Sequence, residues 1–288
     1  MKKMKYLEYA SLVALGVLIF VENFLVVLAA VRNKSLRENT HYNLVISLSV
    51  CDFVVGLSLI MYGSVIAPNN DTDQTAIHIV CNFFYCVMGV TYQMSLLQTF
   101  CISLNRYLVI KENKLSQTFW NGNRKYFVFS VLLLISLICN VSTLFTTMQG
   151  CDIQHVFGDK QSLYNVFLGS TQTVILSFTF IIYFLTLSNI CRMHRKTDAE
   201  ENDEQKRRNI RKRKRMLKSM KVVSFILLTL AISVVPGAVI GMKGVSSQSE
   251  LLALILSSCS NSAVNPVIYC TQIEELYKEI KTMFSTHT

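Results

Sequence analysis

Charge is scarce in this chain. Of its 288 residues only 16% are Asp, Glu, Lys or Arg, while 51% are hydrophobic; soluble domains usually carry about a quarter charged residues. That shortage excludes an ordinary water-soluble domain, because so much apolar surface needs a solvent that tolerates it. Proline is rare too. There are three, and Pro236 and Pro266 fall inside apolar runs, where a missing backbone hydrogen bond kinks a helix. No internal repeat is visible, which counts against transporters built from inverted repeats. No His, Cys and carboxylate spacing suits a metal, and no catalytic constellation is apparent, which argues against an enzyme.

Long apolar runs are abundant. Seven of them, near residues 7–31, 42–66, 77–110, 124–147, 163–191, 218–242 and 250–271, reach the roughly 20 residues that a helix needs to cross a bilayer core. Lipid offers no partner to an exposed backbone, so spans of this kind are helices that satisfy their own amides and carbonyls. The expected fold is all-α: a bundle of seven transmembrane helices over residues 1–271. A short amphipathic cytosolic helix and tail follow over 272–288. The basic start Met1-Lys2-Lys3-Met4-Lys5 resembles the n-region of a signal peptide. The apolar run behind it is too long for that, and no small-residue cleavage pattern precedes Arg32-Asn33-Lys34.

Basic residues settle the expected orientation. All but five of the 28 lie in the first, third and fifth connections, the C-terminal tail or the adjoining helix edges; the exceptions are Lys2, Lys3, Lys5, Lys160 and Lys243. Positive charge stays on the cytosolic side, so the N-terminus is expected outside and the C-terminus inside. The net charge of +10 arises mostly between Arg192 and Lys221. A run like Lys206 to Arg215 could bind nucleic acid. Joined directly to a transmembrane helix, it reads instead as a cytosolic marker that touches anionic membrane lipid. The acidic stretch Asp198 to Glu204 before it lacks apolar periodicity and reads as unstructured.

An ionisable group within the hydrocarbon is costly and is therefore a functional candidate. Asp52 lies mid-span with no basic partner in its own helix. It reads either as a structural carboxylate satisfied by neighbours or as the centre of a polar site. Asn23, Ser95, Asn261, Ser262 and Asn265 also fall within spans and can turn towards it. Such a set of oxygens suits a small hard cation such as sodium, or a water network. No other cofactor is expected.

Asn23 in the first span, Leu48 with Asp52 in the second, Asn105-Arg106-Tyr107 ending the third and Asn265-Pro266-Val267-Ile268-Tyr269 ending the seventh resemble, in joint order and spacing, the signature of rhodopsin-like (class A) G-protein-coupled receptors. Cys81 stands 25 residues before Arg106, the family's interval between its disulfide cysteine and its conserved arginine. The resemblance implies a plasma-membrane receptor for an extracellular small molecule that couples to a heterotrimeric G protein. It also implies that Arg106 switches between polar partners within the bundle and the G protein, with Tyr183 and Tyr269 joining it in the active state. A guanidinium with five donors suits such partner exchange. Cys81 and Cys151, both expected on the oxidising outer side, are expected to pair. Asn70, in Asn70-Asp71-Thr72, is the outer-loop glycan candidate.

Several positions depart from the family pattern. Asn105 replaces the usual acid beside the arginine, and Met216 stands where many relatives carry an acid on the sixth span; raised basal activity is expected. Val234 takes the place of the usual tryptophan two residues before Pro236. The fourth span has no tryptophan, since Trp120 precedes it, and Ile175 replaces a proline in the fifth. Glu22 stands beside Asn23 where the family has glycine.

Helical counting from Arg106 puts Tyr85, Met88, Gly89, Tyr92 and Gln93 on the inward face of the third span. Phe167, Leu168 and Thr171 of the fifth span and Gly237, Ala238 and Gly241 of the sixth would face them. Met88 stands where amine receptors carry an aspartate, and Cys259 where opsins carry the retinal lysine. The ligand is therefore expected to be neutral or apolar. In the tail, Ile273, Leu276, Tyr277, Ile280 and Phe284 share a helical face that suits the inner membrane surface. Few phosphorylation sites follow it, so arrestin capture is expected to be modest. The alternatives are a ligandless, constitutively active receptor or a heteromer partner and, in another class, a transporter or channel.

Overall fold

Apolar sequence in long runs folds here as long helices. The computed structural model describes residues 2–38, 40–66, 74–111, 124–146, 162–198, 224–233 and 248–285, with single positions between 204 and 235. Among them the backbone is helical almost throughout and contains no strand. The elements are α1 (Lys2–Arg32), α2 (Lys34–Glu38), α3 (Thr40–Ile66), α4 (Gln74–Lys111), α5 (Arg124–Thr146), α6 (Ser162–Asp198), α7 (Ser224–Ser233), α8 (Gln248–Gln272) and α9 (Glu274–Ser285). Described residues from 204 to 221 are helical as well and lead into α7.

Five of these helices are long and apolar enough to cross a membrane: Tyr9–Arg32, Tyr42–Ser64, Ile79–Lys111, Gly169–Arg192 and Leu252–Thr271. Two shorter apolar helices, Phe127–Asn140 and Ser224–Ser233, coincide with the fourth and sixth apolar runs. Large apolar side chains such as Val21, Phe24, Ile138, Phe184 and Ile232 are exposed. In water such a surface would drive aggregation, whereas lipid makes it the ordinary outer face of a bundle.

Helices in lipid gain no hydrophobic drive from meeting one another, so close approach of their backbones matters more. The crossing of α1 and α3 is of this kind. A Cβ added to Gly56 would lie 2.6 Å from the Phe20 backbone nitrogen and 2.9 Å from the Gly16 carbonyl oxygen. Helix α4 is central and packs against α3, α5 and α6, while α8 closes against α1 and α3.

One buried cluster joins Leu12 and Ile19 of α1, Leu59 and Tyr62 of α3, Cys81 and Phe84 of α4, and Cys259 of α8. A second, containing Val26, Leu36, Leu48 and Tyr269, is covered by Leu276 and Met283 of α9. This corrects the face expected for the tail helix. Ile273, Leu276, Ile280 and Met283 pack on the bundle, whereas Tyr277 and Phe284 remain exposed beside them. The helix has two apolar neighbours, protein and bilayer, and its apolar arc divides between them.

Candidate functional site: a buried polar network and the cytosolic end of α4

Polar side chains buried in lipid-embedded helices must find partners within the bundle. Asp52, 2% exposed, finds both of its partners on α8. Its Oδ1 accepts a hydrogen bond from the Ser262 hydroxyl at 2.6 Å, and its Oδ2 accepts one from Asn265 Nδ2 at 2.9 Å. Asn23 Nδ2 donates to the Ser262 carbonyl at 3.1 Å and to the Ile19 carbonyl at 3.0 Å. Asn261 Nδ2 donates to the Ser95 hydroxyl at 3.3 Å. The six expected residues thus tie α1, α3 and α4 each to α8, α3 through the carboxylate.

Three amide oxygens in this network, Asn23 Oδ1, Asn261 Oδ1 and Asn265 Oδ1, are buried without a hydrogen-bond partner among the described residues, as is the Ser49 hydroxyl. A carboxylate in one network with unsatisfied amide oxygens offers the kind of donors that a small hard cation takes. These residues fit sodium.

Further groups extend the buried polar layer. Gln98 Nε2 donates to the Ser47 hydroxyl at 3.3 Å, linking α4 to α3. Asn140 Nδ2 donates to Gln93 Oε1 at 2.9 Å and to the Ser136 carbonyl at 2.8 Å. A Cβ on Gly89 would collide with the Asn140 side chain, so the small residue on α4 makes room for the amide from α5. Gly89 and Gln93 therefore meet α5. Asn140, Gln98 and Ser47 were not among the expected site residues, although each is a polar residue inside an apolar run and was visible as such.

The remaining expected pocket residues separate into groups. Tyr85 shares a hydroxyl contact of 3.3 Å with Tyr62, and the Cys259 thiol lies 4.0 Å from Met88 Sδ. Tyr92 packs with Leu96, Leu230, Ile175 and Leu176. Thr171 is half-buried on α6. The Phe167 side chain, Gly237, Ala238, Gly241, Pro236, Asn70 and Cys151 lie outside the described residues. Cys81 is disulfide-bonded, and the seven other described cysteines form no disulfide among the described residues.

At the far end of α4, Asn105 is buried and Arg106 half-buried. Arg106 Nε is buried with no hydrogen-bond partner among the described residues, and Tyr42 of α3 lies within its electrostatic reach. Tyr107 lies beneath the Lys111 ammonium, 5.8 Å from the ring centre. The Tyr183 hydroxyl is 2.5 Å from the Ser224 hydroxyl. The fully buried Tyr269 hydroxyl has no hydrogen-bond partner among the described residues. Among the described residues no hydrogen bond joins Arg106, Tyr183 and Tyr269. Pro266 lies within α8, between Asn265 and Tyr269. Glu22 is half-buried on α1, and its Oε2 has no hydrogen-bond partner among the described residues.

Residues 22–269 match the family model described as 7 transmembrane receptor (rhodopsin family). The chain belongs to that family. Adenosine receptor A2b of Gallus gallus is 31% identical over 140 residues, 48% of this chain and 40% of that protein. Adenosine receptor A3 of Canis lupus familiaris is 21% identical over 292 residues, covering 96% of this chain and 90% of that protein. D(2) dopamine receptor A of Xenopus laevis is 29% identical over 146 residues, 50% of this chain and 32% of that protein. This rhodopsin-family chain is accordingly a multi-pass membrane receptor and not an enzyme. The Asp52 network and the Arg106 region both lie within the matched residues.

Proposed function

We propose that this rhodopsin-family receptor converts the binding of an extracellular, neutral or apolar small molecule into activation of a heterotrimeric G protein. Its N-terminus would lie outside the plasma membrane and its C-terminus in the cytosol, a reading that the distribution of basic residues supports. The observation that carries this reading is the set of buried hydrogen bonds tying Asp52 to Ser262 and Asn265, directly before Pro266 on α8. It couples mid-membrane side chains to the helix whose end holds Tyr269, so a ligand that repositions α8 is felt near Arg106. Ligand binding then shifts an equilibrium already present between closed and open bundles. The sixth span swings about Pro236, and Arg106, Tyr183 and Tyr269 converge on the G protein. Sodium held by Asp52 and its neighbouring amide oxygens favours the closed bundle.

Two observations bear on the ligand. Met88 and Cys259 lie together, and neither a thioether nor a thiol pairs with an ammonium, which argues against a dopamine-like amine. The relatives named adenosine receptors make a neutral nucleoside a natural first member of a ligand panel. Tyr85, Met88, Tyr92 and Thr171, with Phe167, Gly237, Ala238, Gly241 and Cys259, would contribute to the pocket, and Gly89 and Gln93 would act through α5. A Cys81–Cys151 disulfide would hold the second outer loop over it, and Asn70 would carry a glycan. Arrestin recruitment would be modest.

The test is G-protein dissociation in cells, basal and across a ligand panel, with Arg106→Ala as the control. A signal abolished by the substitution at unchanged surface expression supports the reading. Silence across all G-protein families at good surface expression points to a heteromer partner. A ligand-independent ion or solute flux would establish a transporter or channel instead.

A further inference from the structure

Glu22 brings a second carboxyl group to membrane depth, apart from the Asp52 network. It stands thirteen residues after the start of the span Tyr9–Arg32 and ten before its end, about 20 Å and 15 Å along a helix that rises 1.5 Å per residue. The hydrocarbon core is about 30 Å thick, so this carboxyl lies near its middle. Long lysine and arginine stems near helix ends carry their charge out to water; the short stem of Glu22 does not cover that distance.

The chain offers Glu22 no counter-charge. Its Oε2 is buried with no hydrogen-bond partner among the described residues. The neighbouring Asn23 amide is committed to the Ile19 and Ser262 carbonyls. Cys270 on α8 lies within electrostatic reach of Glu22, and a thiol is a weak donor. Lys and Arg occur only near the ends of the seven apolar runs, so no base of this chain reaches the depth of Glu22.

The position of Glu22 on α1 shows where a partner would come from. Ala10, Ala14, Leu18 and Glu22 are spaced four apart and form one row along the helix. The first three are exposed and Glu22 is half-buried, so the row runs along the lipid-facing side and ends at its border with α8, where Val267 is 53% exposed. Small residues four apart let a second membrane helix approach closely, and Ala10 and Ala14 supply that spacing. Lipid headgroups lie in the interfacial layer, about 15 Å from Glu22. A second copy of this chain brings another carboxyl and no base. A proton alone leaves an O–H donor in hydrocarbon without an acceptor, which is costly.

We propose that the Ala10–Glu22 row of α1 is a docking surface for a separate transmembrane helix that carries a lysine or arginine at mid-membrane depth and pairs it with Glu22. Ionisable groups within a membrane pair with one another, and each helix would then shield the other's charge from lipid. The proposal rests on the membrane-spanning fold alone and is independent of G-protein coupling.

The test uses the full chain with a donor dye at its C-terminus, in phosphatidylcholine vesicles that also hold acceptor-labelled synthetic helices of leucine and alanine, roughly 20 residues long. One helix carries a central lysine, one carries the lysine at its end and one carries none. From energy transfer, the central-lysine helix is expected to associate about five- to thirtyfold more tightly than the other two, the effect of a polar contact between membrane helices. Glu22→Gln, which keeps the shape of the side chain, is expected to abolish that preference. Leu18→Trp, which obstructs the row and leaves Glu22 in place, is expected to weaken association of the central-lysine helix. Equal association of the three helices with the native chain, a central-lysine preference that persists in Glu22→Gln, or undiminished association in Leu18→Trp each overturns the proposal. Transfer between two differently labelled copies of the chain that Glu22→Gln abolishes, with no preference among the synthetic helices, overturns it in favour of self-association.

Discussion

The Tyr183 hydroxyl on α6 lies 2.5 Å from the Ser224 hydroxyl on α7. Ser224 already donates to the Met220 carbonyl at 2.9 Å, so Tyr183 is the donor and its proton is committed to Ser224. The bond clasps the fifth and sixth spans at the end where Asn105 and Met216 provide no acid to restrain them. Asn105 and Met216 alone lead to an expectation of raised basal activity; the clasp supplies one neutral hydrogen bond of opposition.

Ser224→Ala removes the acceptor and should shift the bundle towards its open form. A hydrogen bond contributes about 0.5–1.5 kcal/mol, so basal G-protein dissociation should rise about two- to tenfold at equal surface expression. Ser224→Thr keeps the hydroxyl and should stay near the native level. Asn105→Asp adds a charged partner for Arg106 and should lower basal signalling. Native basal signalling equal to that of mock-transfected cells would refute the expectation of raised activity.

Gly89→Ala should destabilise the bundle, because the added methyl collides with the Asn140 side chain, which hydrogen bonds to Gln93 and Ser136. Overpacking of this kind costs about 1–3 kcal/mol. In a double-mutant cycle Asn140→Ala removes the obstacle, so Gly89→Ala in that background should cost less than it does alone. Thermal unfolding of the four proteins in detergent reads the coupling, and strictly additive shifts would show that the two residues do not compete for space.

Spans and network were legible in the sequence because each carries a signal within its own segment. Asp52, Asn23 and Asn265 are conspicuous as polar residues in apolar runs, and the spacing from Cys81 to Arg106 lies within one helix. Partners across the bundle were not legible in this way. Whether Gly89 meets a ligand or Asn140, and whether Tyr183 meets Arg106 or Ser224, depends on the rotation of one helix against another. Helices that are apolar almost all round carry no dominant face to reveal that rotation. Met283 was missed for a related reason: on α9 the protein-facing and lipid-facing residues are equally apolar, and only packing separates Met283 from Phe284.

Asp52→Asn should abolish sodium dependence. The native chain presents a carboxylate in a network whose Asn23, Asn261 and Asn265 amide oxygens have no hydrogen-bond partner among the described residues, and the amide variant keeps the shape but loses the charge. Thermal stability in detergent is expected to rise with sodium chloride for the native chain, relative to equal ionic strength from a bulky organic cation, and to be flat for Asp52→Asn. Equal melting temperatures in the two salts for the native chain would leave the oxygens to a water network.

Glu279 on α9 makes two contacts of different worth with the turn after α1. Its Oε2 accepts a hydrogen bond from Asn33 Nδ2 at 3.1 Å, and its Oε1 is 3.8 Å from Arg32 Nε, whose side chain is 50% exposed. An ion pair open to solvent contributes about 0–1 kcal/mol and weakens with salt. The hydrogen bond to Asn33 is part-buried, and Asn33 Oδ1 also accepts from the Ser35 amide at 3.0 Å, starting α2. Glu279→Gln keeps an acceptor for Asn33 while removing the charge, so it should change stability little and remove only a salt-sensitive part. Glu279→Ala removes both contacts and should cost about 1–2 kcal/mol. If melting temperatures of the two variants fall equally and recover equally with salt, the charge pair and not the amide joins α9 to the first loop.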